Sequence, residues 1–75
     1  MNIKQIVGDN IRFIREKRGW TQEDLAIVSK MSKTFIGDVE RGEKSPTILT
    51  VEKIAKALKV PSPLLLTLNG YKTVE

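Results

Sequence analysis

Between Gly19 and Gly42 the chain is interrupted so often that no long helix can form there, and no alternating pattern supports a strand. Gly19-Trp20-Thr21 closes one helix and opens the next, Lys30-Met31-Ser32 does so again, and Gly42 closes the run. Glycine takes a left-handed backbone at no steric cost, and a Thr or Ser oxygen accepts from exposed N–H groups at a helix start. The two enclosed segments, Gln22 to Ser29 and the stretch from Ser32 to Gly42, are short. Helices of fewer than about 12 residues are marginal alone in water. Both must therefore be held by packing against the rest of the chain.

That support starts with Ile3, Val7, Ile11 and Ile14, with Ile6 beside them, which form one apolar stripe on a helix from about Ile3 to Arg18. Thr21 followed by Asp24 gives a capping box with aspartate in place of Glu or Gln, and Trp20 is placed to staple it. Leu25 and Ala26 point inward from the second helix, and the small Ala26 implies a close crossing. In the third helix Ile36 and Val39 are burial candidates and Phe35 is expected to pack. Thr47 opens a fourth helix whose Val51, Ile54, Ala55 and Leu58 share a face. Pro61 stops it, and Ser62-Pro63 opens a fifth through Leu64, Leu65, Leu66 and Leu68, with Leu65 and Leu68 inward. Asn69-Gly70 ends that helix, and Tyr71 to Glu75 reads as a flexible tail. The expectation is one all-α domain of five helices over residues 1–70, with a helix-turn-helix unit at about 21–42.

A chain of 75 residues makes one small domain that buries only about 60% of its unfolded surface. It has no cysteine, which excludes disulfides and thiolate metal sites, and no histidine, the commonest zinc ligand and general base. No activated nucleophile or paired-acid constellation stands out, so neither an enzyme nor a bound cofactor or metal is expected. Thirteen Lys and Arg against nine Asp and Glu leave +4, which permits a polyanionic partner without demanding one. The start lacks a secretory pattern, and Leu64-Leu65-Leu66 falls far short of the roughly 20 apolar residues of a membrane span. A cytoplasmic protein without a membrane partner is the expectation.

Two short helices joined by a turn of about three residues can place the second in a major groove. Arg15-x-x-x-Gly19-x-Thr21-Gln22-x-x-Leu25-Ala26, then Ser32-x-x-x-Ile36-x-x-Val39-Glu40-Arg41-Gly42, then Pro46-Thr47, Ile54-Ala55-x-Ala57-Leu58-x-Val60 and Leu65 resemble the phage-repressor-like (Xre/lambda-repressor-like) helix-turn-helix family. That family includes the small controller proteins of restriction-modification systems. The resemblance spans Val7 to Leu66 and implies a lambda-repressor-like DNA-binding fold acting as a transcriptional regulator on double-stranded DNA. It makes Lys33, Thr34, Gly37 and Asp38 the base readers and Gln22 a phosphate anchor. It also makes Arg15 and Glu40 an ionic clasp that can present the arginine to the backbone. Lys30 stands where most members have glycine, at a cost of about 1 kcal/mol if the backbone there is left-handed.

The chemistry of these residues is compatible with those roles. Lys33 can donate to guanine O6 or N7, and Thr34 can bond a base or touch a thymine methyl. Asp38 can accept from cytosine N4 or bond a neighbouring lysine, and Gly37 can let the helix sit deep. Thr21, Lys44 and helix-start N–H groups can receive phosphates. One domain offers few base contacts, so a homodimer on a two-fold-symmetric operator is expected. Surplus apolar residues place its seam at Leu49 and Leu64 with Tyr71, while Ile27 and Val28 are apolar where the family is usually polar. An antitoxin of the same fold is the alternative. RNA polymerase or a toxin would be the further protein partner.

Overall fold

The computed structural model describes residues 2–74, so Met1 and Glu75, the outer limits of the expected domain and tail, lie outside it. Helix α1 (Ile3–Lys17) is opened by a reciprocal box in which the Gln5 N–H donates to Asn2 Oδ1 at 3.0 Å. It is followed by α2 (Gln22–Ser29), α3 (Lys33–Glu40), α4 (Ile48–Leu58) and a single turn, α5 (Ser62–Leu65). A 3₁₀ helix (Gly70–Thr73) ends the described chain. The starts follow the cap chemistry. Thr21, Ser32 and Thr47 each accept from the backbone N–H three residues on. Asp24 returns the bond to the Thr21 N–H at 2.9 Å, completing the box.

Ile11, Ile14, Leu25, Ile36, Val39, Ile54, Leu58 and Leu65 are fully enclosed among the five helices, with α2 packed on α3 and α4, and α1 on α3, α4 and α5. Trp20 and Phe35 pack on this core as half-buried covers. Burying an aliphatic side chain stabilises by about 1.5–3 kcal/mol, enough in sum to hold helices that could not stand alone. Ile3, expected on the buried stripe, is 53% exposed. It lies on the first turn of α1, at the edge of a shallow apolar groove shared with Ile48 and Leu66. The crossing of α1 and α3 is close enough to require a glycine. A Cβ on Gly8 would lie 2.5 Å and 2.7 Å from the carbonyl oxygens of Val39 and Glu40. Helices α2 and α4 both end on lysines in the left-handed region, Lys30 and Lys59, each with φ 60°. The conditional cost assigned to Lys30 therefore applies, at about 1 kcal/mol.

The C-terminal part departs from the sequence reading. Pro61, rather than Ser62, occupies the cap position of α5, and the helix ends at Leu65 after one turn. Leu68 consequently falls beyond the helix and is 57% exposed, while Leu64 turns partly inward onto the core. The segment after Gly70 is docked, where a flexible tail was expected. The fully buried Asn10 of α1 is the reason. Its Nδ2 donates to the carbonyls of Leu65 (2.9 Å) and Thr67 (2.8 Å), and its Oδ1 accepts from the Tyr71 N–H at 2.9 Å. The Tyr71 ring lies 4.6 Å from that of Phe13, centre to centre, and Lys17 Nζ donates to the carbonyls of Tyr71 and Val74. Arg18 does the same for α4, its Nε and Nη2 both reaching the Leu58 carbonyl.

Asn10→Ala removes the partner of three carbonyls, those of Leu64, Leu65 and Thr67, and of the Tyr71 N–H. Each orphaned group costs about 1–3 kcal/mol, so the variant should lose about 2–4 kcal/mol in denaturant unfolding. Hydrogen exchange at the Tyr71 amide should accelerate more than exchange in α2.

Candidate nucleic-acid interface

The cap on α3 fixes what its first turn presents. Because the Phe35 N–H donates to Ser32 Oγ at 3.0 Å, the helix begins at Lys33, and Lys33 and Thr34 project into solvent. The box at Thr21 likewise starts α2 at Gln22, whose side chain lies beside Lys33, Thr34, Gly37 and Arg41 in one shallow groove. Thr21 Oγ accepts from the Asp24 N–H at 3.0 Å. A hydroxyl used that way keeps its own O–H for a phosphate.

Arg15 and Glu40 form the expected clasp. Arg15 Nε donates to Glu40 Oε2 at 2.7 Å and Nη2 to Oε1 at 2.9 Å, a two-bond fork with the arginine and glutamate side chains 10% and 3% exposed. Nη1 of Arg15 donates to the Trp20 carbonyl at 2.7 Å, and Gln22 Nε2 donates to Glu40 Oε1 at 3.1 Å. One buried carboxylate thus ties α1, the link into α2, the first residue of α2 and the end of α3. The hydrogen bonds that Arg15 donates to Glu40 raise its pKa, against the lowering effect of burial. Nε, Nη1 and Nη2 of Arg15 each make one of these bonds inside the protein, and Nη1 and Nη2 each keep a second hydrogen. Gln22 keeps one amide hydrogen for an outside acceptor.

Two of the residues assigned to base reading are placed differently. Gly37 is buried beneath the side chains of Arg41 and Gln22. Asp38 is tied by Arg41 Nη2 and has Lys44 Nζ at 3.7 Å, so its carboxylate is already occupied. The pairing with a neighbouring lysine, one of the alternatives for Asp38, is the one the geometry contains. Lys44 itself stays exposed on the loop after α3. Arg41, which the sequence marked only as part of a motif, bridges Asp38 and Glu43, with Nε donating to Glu43 Oε1 at 2.6 Å. That bond is the main cause of its raised pKa. An arginine four residues after a glycine on one helix face was the available signal.

A helix-turn-helix family model, HTH_3, matches residues 11–65. The chain belongs to this helix-turn-helix family. It is 43% identical over 72 residues to the control protein C.SmaI of Serratia marcescens, covering 96% of this chain and 86% of that one. The crystal structure of the restriction-modification controller protein C.AhdI from Aeromonas hydrophila superposes with a TM-score of 0.80 at 31% identity, over 83% of this chain and 94% of that one. The controller C.Esp1396I, solved as a tetramer with its natural 35 base-pair operator, matches with a TM-score of 0.79 at 35% identity, over 87% of this chain and 86% of that one. As a member of HTH_3, the chain is a sequence-specific DNA-binding regulator and not an enzyme. Among the described residues no helix is long and apolar enough to cross a membrane, and no cluster of His, Cys, Asp or Glu could hold a metal ion.

Breaking a buried ion pair costs about 3–5 kcal/mol because one charge is left uncompensated. Arg15→Ala and Glu40→Gln should each fall near that range in denaturant unfolding. The double variant should lose less than the sum, since both remove the same interaction. Strictly additive losses would mean that the clasp carries no coupling energy.

Proposed function

We propose that this chain controls transcription as a homodimer on a two-fold-symmetric operator, with Lys33 and Thr34 at base edges in the major groove. Gln22, Thr21 and Lys44 take the phosphates on this reading. The observation that carries it is the pair of exposed side chains on the first turn of α3, set beside the start of α2 by one buried network. Backbone N–H groups at both helix starts add donors for the same strand. That a similar controller is solved on its operator supports the assignment of the surface.

Base contacts specify and phosphate contacts position. Lys33→Ala should therefore weaken binding to the best site, selected from a random pool, by about tenfold while barely changing affinity for scrambled duplex. Gln22→Ala should weaken both alike. Equal losses on both sequences for Lys33→Ala would assign the lysine to the backbone, and the absence of any selected consensus would remove sequence reading altogether.

The dimer reading rests on exposed apolar residues at one side of the domain. Ile3, Ile48 and Leu66 line the apolar groove, and Leu49 beside Ile48 is 76% exposed. Leu64 and Tyr71, also expected at the seam, are drawn back against the core and Phe13. The domain measures 26 × 25 × 19 Å, and two such bodies side by side can set their reading helices ~34–36 Å apart, one duplex turn. Leu49→Lys should weaken self-association in sedimentation, and DNA binding with it, while leaving the circular dichroism melt of the domain unchanged. A wild type that stays monomeric on its best site would overturn the two-fold architecture.

A further inference from the structure

Glycine in the middle of a helix is less favourable than alanine, and Gly37 lies in the middle of α3 without a left-handed backbone to justify it. The reason is a neighbour. A Cβ at position 37 would lie 3.1 Å from Nη1 of Arg41 and 3.5 Å from Oε1 of Gln22. Helical side chains lean toward the N-terminus, and Arg41, one turn on, folds its guanidinium back over the bare backbone. It therefore lies in the groove lined by Gln22, Lys33 and Thr34. Nε is held by Glu43 and Nη2 by Asp38, and Nη1 is the nitrogen that meets the vacant Cβ position.

We propose that Arg41 is a DNA-contacting residue, seated where a side chain at position 37 would otherwise stand, and that Gly37 is present to seat it. The inference rests on the DNA-reading function above. The ligand is a planar pair of acceptors on the duplex, which a guanidinium fork matches and an ammonium does not. Guanine O6 with N7, or two oxygens of one phosphate, present that pair. Asp38 and Glu43 are positioning residues: they hold the fork flat on α3, in place of the base contact expected of Asp38.

The test measures binding to the selected duplex by wild type, Arg41→Ala, Arg41→Lys, Gly37→Ala and the Gly37→Ala/Arg41→Ala double variant, with thermal melts confirming that each folds. Arg41→Ala should weaken binding about 10- to 100-fold, the range of one good bidentate contact, and Arg41→Lys should restore only part of it. Gly37→Ala should weaken binding severalfold on its own and have no further effect once Arg41 is gone. Duplexes carrying 7-deazaguanine or methylphosphonate at single positions identify the acceptor. One replacement should weaken wild type and leave Arg41→Ala unmoved. Wild-type affinity in Arg41→Ala, additive losses in the double variant, or equal sensitivity of both proteins to every replacement would each overturn the proposal. A wild type without sequence preference would instead remove the underlying function, and that result is separate because it needs no variant at position 37 or 41.

Discussion

The Glu40 carboxylate is the point on which the recognition surface depends. Helix α3 has eight residues, about 12 Å of helix, and the turn that carries Lys33 and Thr34 is at the end opposite Glu40. A small tilt at Glu40 is carried along the whole helix to Lys33 and Thr34. The fork from Arg15 fixes that end against α1, and the bond from Gln22 fixes it against α2, so the two helices of the helix-turn-helix unit share one reference atom group. A lysine at position 15 would bring the charge without the planar, two-bond geometry. A buried pair is a weak source of net stability compared with apolar residues of the same volume. Its value here is orientation.

The same side chains explain why the interface looks less polar at work than in composition. Gln22, Asp38 and Arg41 are all engaged with protein partners, while Lys33, Thr34 and Lys44 are exposed and bring no such fork or amide bond with them. The groove is therefore preorganised, its donors already turned in one direction before any duplex arrives.

Local chemistry made much of this readable from the residues. The starts at Thr21, Ser32 and Thr47 follow from hydroxyls that accept from backbone N–H groups three positions on, and such caps are encoded within four residues. The faces of α1 and α4 follow from apolar spacing. The pairing of Arg15 with Glu40 came through the family pattern, because nothing local brings together two residues 25 positions apart. Asn10 was missed: a polar side chain on an apolar stripe has its partners 55 to 61 residues away, and only the folded chain shows them. The misplacement of Leu64 and Leu68 has the same origin, since a one-turn helix has no periodicity to set its phase. The occupied carboxylate of Asp38 and the shelter of Gly37 beneath Arg41 depend on rotamers, about which spacing is silent.

Helix α1 ends in Arg15, Lys17 and Arg18, and each is spent inside the fold: on a carboxylate and the Trp20 carbonyl, on the last carbonyls of the chain, and on the end of α4. These cations belong to the total of +4. Each phosphate neutralised by a lysine or arginine releases condensed counterions and steepens the dependence of affinity on salt. A cation closed on its own carboxylate, as Arg15 is on Glu40, adds nothing to that long-range, sequence-blind attraction, whereas one resting on a neutral carbonyl still does.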